Sequence, residues 1–251
     1  MNAHVLTFDI DWVSDWAIRR VANLLEDAGV KATWFVTHDS PQIRELRKRS
    51  RNFEIGIHPN LLPGSSQGKT EEEIFETLLK IVPEAKVVRT HGLVFSNALM
   101  KRLTLKYSLD VDSSVLLFES ANIEPHIRYY KETRRQFVRI PYFWEDSIEI
   151  LKQFVTFDFT DPKYHVPGLK VYDFHPIHVV LNTNEIHSYN WVKSNVGVGK
   201  VDEKSIASIR NDHLGAETML KQVIKYIKET QGKSYTLSEI ARAWLERREL
   251  P

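Results

Sequence analysis

The sequence of 251 residues contains no cysteine. Disulfide frameworks, thiolate zinc sites and thiol nucleophiles are therefore excluded, and a bound metal would have to use oxygen and imidazole ligands. Ten histidines are available for that purpose. With 34 lysines and arginines against 33 aspartates and glutamates, the chain also lacks the excess of one charge. That balance is not typical of proteins that bind nucleic acid or anionic membranes.

Long hydrophobic runs are also missing, since no stretch reaches the roughly 18 apolar residues that a membrane-spanning helix needs. The first residues do not combine a basic segment, an apolar stretch and a cleavage site. We therefore expect a soluble, cytoplasmic protein without stable membrane insertion, acting on a small molecule or a glycan. The length suits one domain over residues 1–251. It says nothing about the oligomeric state.

Short apolar runs alternate with helical patterns in the first half of the chain. This alternation is typical of parallel strands joined by crossover helices and predicts an α/β fold. Polar residues 182–202 predict a long loop, two C-terminal helices follow, and residues 125–136 receive no assignment. The predicted strands cover 5–11, 32–37, 53–58 and 86–89, with shorter ones near 108–111, 137–140 and 170–174; the predicted helices cover 12–28, 41–49, 70–83, 96–106, 216–229 and 238–248.

Two carboxylates, Asp9 and Asp11, end the first apolar run. Side chains two residues apart in an extended strand point to the same face, where two negative charges repel unless a cation or a shared proton lies between them. This pattern favours a functional pair at the carboxyl end of a strand, where α/β proteins place their chemistry. The alternative is that the aspartates cap the helix that follows.

Two histidines follow later strands: His58 precedes a Pro-Asn turn, and His91 lies in an Arg-Thr-His-Gly segment. Neighbouring strands lie about 5 Å apart, so Asp11, His58 and His91 could bind one metal and leave a position open for water. Each histidine alone could equally be a surface or structural residue. Zn²⁺ suits these ligands best, and Co²⁺, Ni²⁺ or Fe²⁺ would accept them.

A third histidine pair, His175 and His178, follows the apolar run 170–174. Their separation does not place both on one strand face, and Pro176 breaks the strand pairing, so we expect only one to act. His175 is nearer the strand end and could be a general acid that protonates a leaving amine. A core histidine bonded to the backbone is the alternative.

The segment 139–146 contains an arginine, three aromatic residues and two acids. Aromatic faces at a rim can bind sugar rings, and we therefore predict Tyr142 and Trp144 as substrate-binding residues, with Trp144 at the rim. Plain core packing is the alternative, and it is what we expect for Phe143.

These residues, in this order, resemble the polysaccharide deacetylases (NodB-homology, carbohydrate esterase family 4). The motif Thr-Phe-Asp-Ile-Asp around Asp9 is similar to the family's first motif, Phe-Glu-Ile-Gly-Ile-His to its second and Phe-His at His175 to its last. The resemblance covers residues 5–182. It implies a deformed (β/α) barrel of seven or eight strands. It also implies Asp9 as general base, Asp11 and His58 as metal ligands, Arg89 as the arginine that orients the base and His175 as catalytic acid.

One position departs from the family pattern. The second motif usually has another metal-binding histidine four residues on, where this chain has Leu62. We expect His91 to replace it, with Asn60 as a weaker candidate ligand that could instead contact substrate. The His-Pro-Asn and Arg-Thr-His patterns resemble the deacetylase-like proteins of O-antigen and surface-polysaccharide biosynthesis.

The sequence thus predicts a metal-dependent hydrolase that removes an N-acetyl group from a sugar or sugar precursor. Two alternatives stay open. The enzyme could hydrolyse another C–N amide bond, such as that of a small cyclic ureide. Alternatively, because the histidine at position 62 is missing, the chain could be an inactive, carbohydrate-binding relative with the same fold.

Overall fold

The computed structural model describes residues 2–49, 51–131, 134–152 and 154–249. Their strands form one sheet of nine strands. In chain order the strands are β1 (His4–Asp9), β2 (Ala32–Val36), β3 (Phe53–Ile57), β4 (Val87–Val88), β5 (Val111–Asp112), β6 (His126–Tyr130), β7 (Arg135–Arg139), β8 (Trp144–Glu145) and β9 (Lys170–Phe174).

Helices follow most of these strands. The α-helices are α1 (Asp15–Ala28), α2 (Pro41–Lys48), α3 (Glu71–Ile81), α4 (Asn97–Leu105), α5 (Asp146–Glu149), α6 (Pro176–Leu181), α7 (Ile186–Asn195), α8 (Glu203–Ile206), α9 (Ala216–Tyr226) and α10 (Leu237–Glu249). Four of them begin at a serine or threonine whose hydroxyl accepts a backbone N–H of the first turn: Ser14, Ser40, Thr70 and Ser96. Within the described residues, no helix is long and apolar enough to cross a membrane.

The strands lie in the order β6-β7-β5-β4-β3-β2-β1-β9-β8. All neighbours are parallel except β6 and β7, which pair antiparallel. The predicted α/β fold built on a deformed barrel is confirmed. The nine strands include one more than the upper sequence estimate, and β6 and β8 form the edges of the sheet. Because the sheet is parallel, the carboxyl ends of β1, β3, β4 and β9 lie on one rim.

Two apolar clusters cover the faces of the sheet. The larger one includes Leu6, Phe8 and Trp34 with the apolar faces of α1, α6 and α9. The smaller one lies on the opposite face, where Val5 and Phe35 pack against the C-terminal helix α10. This alternation along β1 and β2 is the period of two expected of strands buried on both sides.

Two segments differ from the sequence predictions. The expected long loop at 182–202 is wrong, because it contains α7 and a 3₁₀ turn at Val198–Lys200. Only Val192 of α7 is buried, so the helix lacks the apolar periodicity that would have revealed it. The unassigned segment 125–136 contains β6 and the start of β7, which pair antiparallel at the edge of the sheet. Residues 132–133, between the two strands in sequence, lie outside the described residues.

Candidate metal and catalytic site

Three side chains expected to bind a metal converge at the carboxyl rim. Oδ1 of Asp11 lies 3.3 Å from Nε2 of His58 and 3.2 Å from Nδ1 of His91, and the two imidazole nitrogens are 3.2 Å apart. These atoms thus form a nearly equilateral triangle. Four ligands about 2.0–2.1 Å from a tetrahedral ion are separated by roughly 3.3 Å, so the triangle has the size of a zinc-like ligand set.

The hydrogen bonds around His58 fit a metal ligand. Nδ1 of His58 lies 2.7 Å from the carbonyl oxygen of Arg89, so Nδ1 must carry the proton and donate it. Nε2 then has a free lone pair that faces Asp11 and His91, and a hydrogen bond from the other imidazole nitrogen is the usual second interaction of a metal-binding histidine.

Asp11 provides a second test of this fit. Its Oδ1 is buried and makes no hydrogen bond of acceptable geometry, although both imidazoles lie nearby. A buried, ionised oxygen without a donor is costly unless a cation completes its environment. The residues present therefore fit a divalent metal.

Asp11 does not reach this position by simple strand alternation. Strand β1 ends at Asp9, and Asp11 and Trp12 both adopt positive φ angles of 43° and 56°. A left-handed turn therefore directs Asp11 back over the end of the strand, and the backbone N–H of Trp12 donates to Oγ1 of Thr37 at 3.1 Å. The carboxylates still converge as expected, because Oδ2 of Asp9 lies 3.4 Å from Nε2 of His58.

Asp9 is held by the buried cation Arg89. Nη1 of Arg89 donates to Oδ1 of Asp9 at 3.0 Å and also contacts Oδ1 of Asp173 on β9. Nε and Nη2 of Arg89 donate to the carbonyl oxygen and hydroxyl of Ser113 at 3.0 and 3.1 Å. Burial alone would lower the pKa of Arg89, but Asp173 and Asp9 outweigh it and raise the pKa. Arg89 therefore stays charged and leaves only Oδ2 of Asp9 free.

His175 is held by another buried carboxylate, that of Asp146. Nδ1 of His175 donates to Oδ1 of Asp146 at 2.7 Å, and its backbone N–H donates to Oδ2 at 2.8 Å. Burial alone would lower the pKa of His175, but the charge of Asp146 raises it well above its usual value. Nε2 of His175 lies 3.6 Å from Oδ2 of Asp11. A protonated imidazole is thus available beside the proposed metal ligand Asp11.

A cavity of about 430 Å³ connects these groups to the surface. Its lining includes Asp9, Asp11, His58, His91, Tyr142, His175 and His178. Both histidines of the pair after β9 therefore reach the cavity, although their protonation differs. Burial lowers the pKa of His178 to about 4 and keeps this imidazole neutral.

The predicted substrate-binding residues occupy different positions. Tyr142 lines the cavity, where its hydroxyl donates to Glu145 at 2.7 Å and its ring covers Arg89. The expected rim position of Trp144 is wrong: its side chain is 0% exposed and its Nε1 donates to Glu149 at 3.1 Å. Trp144 packs inward because β8 pairs with the buried strand β9. Oδ1 of Asn60 accepts the N–H of Leu62 at 3.0 Å, which shapes the turn after His58.

Three site residues were not predicted as such from the sequence: Asp146, Asp173 and Tyr189 of α7. Asp146 follows β8 and Asp173 lies within β9 near its carboxyl end, but a single acid in a mixed segment carries no distinguishing pattern. Tyr189 lies in the region predicted as a loop. The pairing of β9 with β1 and β8 places Asp146 and Asp173 beside His175 and Arg89. Helix α7 brings Tyr189 into the lining of the cavity.

Comparison with protein families gives one match. A family model described as WbmS-like polysaccharide deacetylase matches residues 6–193. A comparison with curated proteins finds no significant match.

Comparison with solved structures gives relatives at two levels of similarity. WbmS from Bordetella bronchiseptica, described as a polysaccharide deacetylase involved in O-antigen biosynthesis, is 32% identical, with a TM-score of 0.77 over 89% of this chain and 90% of that chain. A family 4 acetyl xylan esterase from Clostridium thermocellum, in complex with a cobalt ion, is 16% identical, with a TM-score of 0.50 over 96% of this chain and 90% of that chain. The esterase shares the fold alone.

Proposed function

Since the chain belongs to the WbmS-like polysaccharide deacetylase family, we propose that it hydrolyses the N-acetyl group of a sugar or sugar precursor in surface-polysaccharide biosynthesis. The observation that carries this proposal is the grouping of a metal-ligand triangle, a carboxylate and a protonated imidazole around one cavity. Amide hydrolysis needs these parts, because water must be activated and a poor leaving group must be protonated.

We propose that Asp11, His58 and His91 hold a divalent metal, preferably Zn²⁺. When bound, such an ion polarises the amide carbonyl and makes a bound water more acidic. Imidazole and carboxylate also suit Co²⁺, Ni²⁺ and Fe²⁺. The nearly equal distances between the three ligand atoms support this assignment.

Asp9 is the proposed general base. Its Oδ1 is fixed by Arg89, which leaves Oδ2 to accept the proton of the attacking water. Arg89 is itself fixed by Ser113, and its guanidinium lies between the rings of Phe35 and Tyr142, 4.6 and 4.4 Å from their centroids. A base held this rigidly needs little rearrangement when the water attacks.

His175 is the proposed general acid. Asp146 keeps its imidazole protonated and fixes its orientation, so that Nε2 can donate to the nitrogen of the departing amine. Because the acid and the base are held by separate ion pairs, each group has the protonation state that its role requires. An inactive binding relative would have no need of two such costly buried pairs.

The substrate stays a proposal at the level of an N-acetylated sugar, with Tyr142 at the cavity wall as a contact residue. We also retain as proposals that residues 1–251 form one catalytic domain and that the protein acts in the cytoplasm on a precursor. The packing of α10 against the sheet supports the first of these.

The proposed reaction is tested by acetate release from N-acetylated methyl glycosides and nucleotide sugars, with the metal removed and then restored. We expect activity only with metal. His91→Ala should reduce both bound metal and activity by at least about tenfold. Even residues that only hydrogen-bond to a metal ligand typically change metal affinity or activity by about that factor when they are mutated. His213→Ala, an exposed histidine outside the cavity, is the matched control. Metal-independent acetate release, or full metal binding by His91→Ala, would contradict the assignment.

A further inference from the structure

Three large apolar side chains are exposed on the segment that follows β8: Ile148, Leu151 and Phe154, which are 37%, 65% and 79% exposed. We refer to them as the apolar ridge. Ile148 and Leu151 also line the cavity that contains Asp9 and His175. The ridge therefore continues from the cavity wall onto the surface. Exposed apolar groups that lie next to one another often mark an interaction site.

The base of the ridge is anchored by two buried carboxylates. Asp146 binds the backbone and side chain of His175 at 2.8 and 2.7 Å. Glu149 accepts from Nε1 of Trp144 at 3.1 Å and from the N–H of Thr156 at 3.0 Å. These contacts hold the chain at Asp146 and Glu149, on either side of Ile148.

The chemistry of the proposed reaction indicates which part of the substrate meets the ridge. His175 protonates the amine, and this nitrogen stays on the sugar when acetate leaves. The sugar must therefore approach from the side of His175, and Asp146 joins His175 directly to the ridge. Whatever group is attached to the sugar then extends over Ile148, Leu151 and Phe154, whereas the acetyl group points towards the metal ligands.

The ridge lacks the groups that a polar attachment would need. Aliphatic side chains cannot replace the hydrogen bonds that sugar hydroxyls lose when they leave water. No lysine or arginine occurs among the described residues that line the cavity, which instead include the carboxylates of Asp9, Asp11 and Glu145. The diphosphate of a nucleotide sugar would therefore find no lysine or arginine to bind here, because the proposed reaction already engages the metal and His175 with the acetamide.

We propose that the sugar deacetylated at this site carries an apolar chain, as in a lipid-linked saccharide, and that this chain binds along the apolar ridge. This assignment rests on the proposed deacetylase function and specifies its substrate class. Leu93, Ile177 and Ile186 also line the cavity, so that a chain leaving the sugar can bury its first carbons before it reaches Leu151 and Phe154.

Binding of defined probes tests the proposal. Methyl and dodecyl N-acetyl-β-D-glucosaminide, the latter below its micelle concentration, and UDP-N-acetylglucosamine are titrated calorimetrically into the metal-loaded protein. We expect the dodecyl glycoside to bind at least about tenfold more tightly than the other two. Leu151→Ser and Phe154→Ser should each remove most of this gain, whereas Leu214→Ser, a control with a side chain 48% exposed outside the cavity, should retain it. Thermal melting verifies that each variant is folded.

Several results would overturn the proposal. Equal affinity for the methyl and dodecyl glycosides, or tighter binding of the nucleotide sugar, would exclude an apolar chain. A dimer in light scattering that Phe154→Ser converts to a monomer would assign the ridge to a second copy. Acetate release from each probe is measured in parallel. Tighter binding of the dodecyl glycoside without acetate release from any probe would contradict the deacetylase function. Acetate release with equal affinity for the methyl and dodecyl glycosides would contradict only the role of the apolar ridge.

Discussion

At the scale of single residues, Arg89 holds the buried carboxylates of the site in place. Its guanidinium is fully buried, contacts carboxylates on two strands and separates the rings of Phe35 and Tyr142. Two acids thus share one cation, and Arg89 joins the strand of Asp9 to the strand that precedes His175.

The role of Asp9 gives the first residue-scale prediction. Asp9→Asn keeps the shape of the side chain and its hydrogen bond from Arg89, but it cannot accept a proton. We expect turnover to fall by about 10²–10⁴-fold, with bound metal unchanged, as measured by acetate release and elemental analysis. Asp39→Asn, at an exposed ion pair, serves as control. Undiminished turnover in Asp9→Asn would remove Asp9 from the role of base.

The connections between elements depend on single side chains, and Asn182 is one example. It ends α6 with φ of 48°. Its amide donates to the carbonyl oxygens of Asn211 and His213 at 3.0 and 2.7 Å, and its Oδ1 accepts the N–H groups of Glu217 and Thr218 at 3.0 and 3.1 Å. Asn182 therefore caps α9 and fixes the preceding turn, since Asn tolerates the left-handed conformation.

Asn182→Ala should lower the free energy of unfolding by about 2–4 kcal/mol, because buried donors and acceptors lose their partner and alanine is strained at positive φ. Urea denaturation measures the change. Asn195→Ala removes an exposed amide bonded only to the carbonyl oxygen of Trp191 and should have little effect. An equal loss of stability in both variants would contradict the role of Asn182.

His4 at the start of β1 makes the packing of that strand sensitive to acid. Burial, together with the charge of Lys170, lowers the pKa of His4 to about 3. Below about pH 6.5, His4 therefore binds a proton in the unfolded chain but stays neutral in the folded chain. The stability associated with neutral His4 is complete above the unfolded pKa and decreases as the pH falls from about 6.5 towards 3.

We expect His4→Asn to flatten the decrease in the free energy of unfolding between pH 6.5 and pH 5 by up to about 2 kcal/mol, since each pH unit corresponds to roughly 1.4 kcal/mol per proton. Urea unfolding at several pH values measures the slope. His187→Asn, an exposed histidine on α7, should leave the slope unchanged. Parallel curves for the wild type and His4→Asn would show that His4 is not the group responsible.

At the scale of the whole molecule, the face of the sheet that α10 covers holds both an apolar cluster and the buried carboxylates of the site. Leu237, Ile240, Ala241 and Trp244 of α10 pack against Val5, Phe35 and Val171 on one part of this face. Leu237 also donates its N–H to Oγ1 of Thr33 at 3.0 Å. Asp9 and Asp173 lie on the same face of β1 and β9 nearer the carboxyl rim, where both are buried and Asp9 lines the cavity.

Metal binding should stabilise the whole molecule, because Asp11, His58 and His91 follow three different strands. A ligand at about 100 times its Kd adds roughly 2.7 kcal/mol to the free energy of unfolding, which for a protein of this size raises Tm by about 5–10 °C. We expect this shift for Zn²⁺ in the wild type and in His187→Ala, and its loss in His91→Ala. A zinc-induced shift of equal size in His91→Ala would exclude His91 as a ligand.

The sequence by itself determined the alternation of strands and helices, because apolar periodicity is a local property. It also placed five residues at strand ends, which are local features as well: Asp9, Asp11, His58, His91 and His175. The tertiary structure alone decided that Trp144 faces the core, that Asp146 and Asp173 partner His175 and Arg89, and that α7 covers one side of the cavity. These arrangements depend on the pairing of β8, β9 and β1 and on burial between distant segments, and no local pattern encodes contacts between residues more than twenty positions apart.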